Sequence, residues 1–212
     1  MPQTTRESEI VAAALELLDA QGVEGVTLRA VARRLGVHLN TVSWHVKTKH
    51  RLLQLTADGA LAEVSLDDLP SDWDGRLRVL LGRYRAALLA HRDGARLMAG
   101  TYAAEPHTLR LAEAVVGTLL EAGLGEREAA WSCWTLIYFT LGLTQEEQDA
   151  PAAGGAELDD ALSPADHPAL HRVLPHLAVG SFAERYEFGL DLVIASLRRR
   201  VPSADRAGPH AG

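Results

Sequence analysis

The sequence predicts an all-α fold, with an N-terminal three-helix helix-turn-helix domain and a larger C-terminal helical domain. Three observations predict it. Apolar residues recur at helical spacing, as at Ile10, Ala13, Ala14, Leu17 and Leu18. Val, Ile and Thr do not alternate with polar residues for long enough to make a strand. Gly, Pro and Asp cluster at intervals that match helix lengths.

The first helix is expected to open at Thr4 or Thr5, with Glu7 completing a capping box, and to close at Gly22. Val23 and Val26 pin the linker, and Thr27 supplies the next N-cap. A second helix covers 28–35, Gly36, Val37 and His38 make a tight turn, and a third helix covers 39–45. A fourth runs from Thr48 to Leu66. Pro70, Asp72 and Gly75 then mark a loop and a domain boundary. Further helices are expected at 76–91, 95–103, 106–123 and 126–148. Residues 149–164 read as a long loop, followed by helices at 165–178 and 181–200 and a frayed tail. The plan is a reading head at 1–50, a connecting helix at 51–68 and a helical ligand-binding and dimerisation domain at 69–205.

Composition narrows the class. Hydrophobic residues at 47% and charged residues at 23% fit an ordinary globular chain. The longest uncharged apolar stretch, Trp131–Thr144, is 14 residues and too short to span a bilayer, so no membrane partner is expected. A single Cys133 excludes an internal disulfide and fits a reducing cytoplasm, and no targeting peptide is expected. Net charge is −7, yet residues 1–51 hold seven basic and five acidic side chains, and both lysines fall at Lys47 and Lys49. Phosphate binding needs a local positive surface, not a positive total.

Residues 28–47 fit a helix-turn-helix position by position. Ala32 is small where two helices cross, and Gly36 stands in the turn where positive φ is required. Val31, Leu35, Val37, Val42 and Val46 are apolar toward a shared core, with Arg33 and Arg34 outside. In such a unit the second helix enters the major groove. Asn40 can then read adenine, Leu39 can pack on a thymine methyl, and Thr41 and Ser43 face bases or phosphates. Thr27 and Arg29 open the preceding helix, where Arg29 reaches a guanine or a phosphate, and His45, Lys47 and Lys49 lie along the backbone path.

Gly22-Val23-Glu24-Gly25-Val26-Thr27-Leu28-Arg29, then Leu35-Gly36-Val37, then Trp44-His45-Val46-Lys47-Thr48-Lys49, resemble the N-terminal domain of the TetR family of repressors. Leu88-Leu89-Ala90-His91-Arg92-Asp93-Gly94-Ala95 and Phe139-Thr140-Leu141-Gly142 are similar to the ligand-binding domain of its tetracycline-repressor branch. The resemblance implies an Ω-shaped homodimer whose last two long helices pair across a two-fold axis. It also implies a pocket at which this chain departs from the branch. Met98 stands at the magnesium-binding histidine, Leu80 at an asparagine, Ala114 at a glutamine and Ser65 at a histidine, while Glu146 matches an outer-shell acid. A thioether is a poor Mg²⁺ ligand, so neither a tetracycline chelate nor any resident metal or cofactor is expected. Ser43 replaces a tyrosine common in the reading helix.

Leu80, Tyr84, Met98, Thr101, Tyr102, Leu111, Trp134 and Phe139 are the expected ligand contacts, suiting a flat, largely apolar and even polycyclic effector. Trp131, Trp134 and Tyr138 share one helical face and read equally as packed core or dimer seam. Phe182, Tyr186, Leu190, Val193, Ile194 and Leu197 form a stripe expected to be the dimer interface. His167, His171 and His176 follow a loop without a partner motif, so solvation or capping outweighs a metal site. The expected function is a repressor released from palindromic operator DNA by a small molecule. The alternatives are an activator or co-repressor-dependent regulator, or a dimeric ligand binder without operator function. No nucleophile elbow, phosphate loop or paired carboxylates point to an enzyme.

Overall fold

The computed structural model describes residues 3–101, 104–150, 161–177 and 180–202, with side chains from Arg6 onward. Among these the chain forms ten α-helices and one 3-10 turn and no strand. The head contains α1 (Gln3–Gln21), the 3-10 turn Val23–Gly25, α2 (Leu28–Arg34) and α3 (Leu39–His45), with α4 (Lys49–Gly59) leading out of it. The body contains α5 (Trp73–Leu89), α6 (Gly94–Ala99), α7 (Pro106–Glu121), α8 (Glu126–Asp149), α9 (Pro168–Leu177) and α10 (Phe182–Arg198).

Local chemistry sets the head. Thr27 caps α2 by accepting from the Ala30 amide at 3.1 Å, as its position predicts. Gly36 turns the chain at φ 65°, a conformation that costs any side-chain-bearing residue. Ile10, Ala14, Leu18, Val31, Val42 and Val46 close over one core. Leu35 and Val37 are only half-buried at its edge. The capping box expected at Thr4 and Glu7 rests on the Thr4 side chain, which lies outside the described ones.

Three expectations are corrected. The fourth helix ends at Gly59 rather than Leu66, and residues 60–64 continue in tighter turns, with Leu61 N on Asp58 O at 3.0 Å and Val64 N on Leu61 O at 3.1 Å. Carbonyls beyond it are taken by side chains from elsewhere: Arg110 donates to Val64 O and Arg83 to Ser65 O and Asp67 O, each at 2.8 Å. Helix α6 stops at Ala99, four residues short of its expected end, where the Thr101 hydroxyl turns back onto Leu97 O and Met98 O. The stripe on the last helix does not face outward. Tyr186, Leu190, Ile194 and Leu197 are buried within the subunit, where α10 packs on α8 and Phe139 stacks on Tyr186. Periodicity gives a helix its apolar face without saying whose surface meets it. Most of the loop expected at 149–164 lies outside the described residues.

Candidate functional site

The reading face is built on α3. Val42 and Val46 anchor it inward, at 1% and 0% exposure. That turns Leu39, Asn40 and Lys47 into solvent and leaves Ser43 and Thr41 half-buried beside them. Arg29 is exposed at the start of α2. His45 is half-buried, and its Nδ1 has no partner among the described residues. Lys49 is exposed but lies 3.6 Å from Glu24, which also accepts from Arg96 at 3.1 Å. Thr27 spends its hydroxyl oxygen on the cap. The sequence reading passed over Trp44, which is 80% exposed on the same face. The missed signal was spacing: Trp44 lies four residues after Asn40, one turn along the outward side of α3.

A second site lies in the body. A cavity of about 630 Å³ is walled by α5, α6, α7 and α8. It brings together Tyr84, Met98, Thr101, Leu111 and Trp134 from the expected set, and adds Cys133, Ile137 and Tyr138. Leu80 and Phe139 are not brought to it. Leu80 has no exposure and belongs to the core, while Phe139 turns toward α10 to stack on Tyr186 at 5.7 Å. Tyr102 lies outside the described residues. Of Met98, Leu80, Ala114, Ser65 and Glu146, which the resemblance singled out, Met98 lines this cavity and the other four do not. Burial pushes the Tyr84 phenol well above its ordinary value, and Cys133 adds to that shift. Burial also raises the Cys133 thiol. Every described lining residue is uncharged, with no Asp, Glu, Lys, Arg or His among them. Trp134 and Tyr138 stack at 5.3 Å and are half-exposed at the α8 wall.

Polar clamps tie the two sites together. At one corner Asp93, in the left-handed region at φ 56°, accepts from Val23 N at 3.0 Å. It approaches Gly22 so closely that a Cβ there would lie 2.4 Å from its carboxylate. Asp19 on α1 meets His91 at 3.0 Å and the Arg92 amide at 3.2 Å. Gln148 on α8 holds the same corner, donating to His91 O at 2.8 Å and accepting from Ala95 N at 3.0 Å. The second clamp grips α4. Asp58 accepts from Thr108 N at 2.7 Å and from its hydroxyl at 2.9 Å, and Arg51 pairs with Glu105. Thr108 also lines the cavity, so one residue touches both the ligand space and α4.

His167, His171 and His176 lie on or beside the exposed α9, where Ser163 N donates to His167 Nδ1 at 3.4 Å. No metal-binding cluster occurs among the described residues.

The profile described as bacterial regulatory proteins, tetR family, matches residues 10–55, and that of the tetracyclin repressor-like C-terminal domain matches residues 66–201. The chain belongs to the TetR family. Its TetR-family relatives include the tetracycline repressor protein class A from transposon 1721 of Escherichia coli, 36% identical over 96% of this chain and 95% of that protein. A possible TetR family transcriptional regulator from Streptomyces coelicolor A3(2) matches at TM-score 0.80 and 37% identity, over 91% of this chain and 98% of that one. The Streptomyces coelicolor TetR family protein ActR in complex with actinorhodin matches at TM-score 0.83 and 26% identity, over 93% and 97%. The TetR fold thus places a helix-turn-helix domain for DNA on a helical ligand-binding domain, in the manner of a transcriptional repressor.

Proposed function

We propose that this chain acts as a homodimeric repressor that occupies a palindromic operator and leaves it when a small, largely apolar effector fills the α5–α8 cavity. The head spans 1–50, the connection 51–68 and the ligand-binding and dimerisation domain 69–205. Thr27, Arg29, Leu39, Asn40, Thr41, Ser43, His45, Lys47 and Lys49 serve the DNA, joined by Trp44. Tyr84, Met98, Thr101, Leu111 and Trp134 serve the effector. The observation that carries the reading is Thr108, which lines the cavity and also holds Asp58 of α4. A ligand that displaces Thr108 shifts α4 and with it the reading head. A ligand acts only through its differential affinity for two forms, and a thousandfold loss of operator affinity requires ~4 kcal/mol of coupling.

The effector differs from the one in the relatives' name. Met98 at the metal position and a lining without charge disfavour a drug–magnesium chelate. The dimer reading rests on apolar side chains left uncovered by the subunit. Trp131, Trp134 and Tyr138 on α8, Phe188 and Leu192 on α10, and Leu170, Val173 and Leu177 on α9 are all exposed. Two copies would set two α3 helices about 34–36 Å apart, one turn of DNA.

The test is an anisotropy titration of the protein against the DNA flanking its own gene at fixed salt, with and without flat polycyclic compounds and with tetracycline–Mg²⁺. Specific binding abolished by an apolar compound and indifferent to tetracycline is the expected result. Release by tetracycline defeats the effector assignment, and absence of specific binding defeats the repressor reading.

A further inference from the structure

The cavity contains two buried hydroxyls in its described lining, and they differ. Thr101 is 7% exposed and spends its proton on Leu97 O and Met98 O, each at 3.2 Å. Tyr84 is 3% exposed, and its phenol has no hydrogen-bond partner among the described residues. Its polar neighbour in the lining is the Cys133 thiol, a weak donor and weak acceptor. The residue is buried while its hydroxyl oxygen stays accessible from the cavity, so a ligand that accepts its proton gains a hydrogen bond there. Thr108 and Gln145 are half-buried and Tyr138 is exposed, so among the buried residues of the described lining the tyrosine offers the one unspent hydroxyl proton.

The walls around it are Met98, Leu111, Trp134 and Ile137, with no charge to neutralise an ionised ligand. Burying an unpaired charge there is prohibitive, which removes carboxylates, amines and metal chelates from the candidates. Among neutral groups, a carbonyl brings only an acceptor. An alcohol brings its own hydrogen as well, and that hydrogen then needs a partner of its own. The raised phenol keeps its proton throughout the neutral pH range, so it stays a donor.

We propose that the cavity takes an uncharged aromatic ketone, and that the Tyr84 hydroxyl donates a hydrogen bond to its carbonyl oxygen. This rests on reading the α5–α8 cavity as the effector site. Tyr84 is the specificity-determining residue: its ring packs as any aromatic would, and its hydroxyl selects the carbonyl. The same position as phenylalanine would bind the ring system without discriminating.

The experiment uses the full-length protein with fluorenone, fluorene, fluorenol and fluorenone carboxylate, followed by quenching of tryptophan fluorescence, since Trp134 lines the site. Fluorenone is expected to bind roughly three- to tenfold tighter than fluorene, the worth of one net hydrogen bond. Fluorenol falls between them, and the carboxylate does not bind. In Tyr84→Phe the advantage of fluorenone over fluorene disappears while fluorene binding is retained. The wild-type comparison stands even where the variant folds poorly. Equal binding of fluorene or fluorenol, binding of the carboxylate, retention of the carbonyl preference in Tyr84→Phe, or no saturable binding of any probe each overturns the proposal. Operator anisotropy in parallel separates the two readings. Fluorenone that binds without releasing DNA leaves the carbonyl assignment standing and defeats the induction reading. Release by a charged chelate alone does the reverse.

Discussion

Trp44 and Asn40 lie one turn apart on α3, and the two face outward because Val42 and Val46 are drawn inward. Each residue on that face has a separate readout. Asn40→Ala is expected to cost ~1–3 kcal/mol at one operator position and little elsewhere, measured by binding to a set of single-base operator variants. Lys47→Ala is expected to weaken all duplexes alike and lower the salt slope by about one. Lys49 lies against Glu24, so part of its charge is met within the protein and its own effect on the slope is smaller. Thr27→Ala removes the acceptor for Ala30 N and is expected to cost ~1 kcal/mol in chemical denaturation, with Thr27→Ser restoring most of it.

Helices join through side chains that complete one another's ends. Gln148 of α8 serves a late carbonyl of α5, the His91 carbonyl just beyond it and an amide in the first turn of α6, reaching Leu88 O, His91 O and Ala95 N. Gln148→Leu leaves these groups unmet and is expected to cost ~2 kcal/mol by denaturation. It also loosens the corner that carries Asp93, so operator binding becomes less responsive to ligand. At the other end of the body, Arg198 of α10 pairs with Asp74 of α5 and holds its carboxyl below the ordinary carboxylate range. A depressed folded-state pKa contributes stability that is present above the unfolded value and lost as pH falls through the folded one. Asp74→Asn is therefore expected to flatten the stability profile below about pH 4, as followed by circular dichroism.

At the scale of the whole molecule, the exposed apolar faces of α8 and α10 are the surfaces that the proposed dimer would cover. Phe188 is 67% exposed and Leu192 59%, on the side of α10 opposite its buried stripe. Replacing both with glutamate is expected to give monomers by light scattering and to reduce operator affinity to that of a single head. Ligand binding in the cavity provides the control that the body is still folded. The net charge of −7 is unevenly spread, since residues 1–51 hold seven basic and five acidic side chains and the acidic excess lies in the body.

The order of the helices and the reading head are legible from local pattern, because the contacts that make them are short-range. Thr27, Gly36 and the Val31–Val42–Val46 set act through contacts a few residues to a turn away, so spacing alone reveals them. Met98 is legible in the sequence, and the fold brings it to the cavity. Tertiary structure decided the rest. Whether the Tyr186–Leu190–Ile194 stripe meets α8 or a second copy depends on which surface reaches it first, and no periodicity encodes that. Leu80 and Tyr84 sit four apart on α5, yet Leu80 is sealed in the core while Tyr84 lines the cavity, a difference that packing against other helices makes and spacing does not encode. The end of α4 was hidden for the same reason. The carbonyls of the segment after it, Val64 O and Ser65 O, are taken by Arg110 and Arg83 from distant helices, and only the fold brings those arginines there.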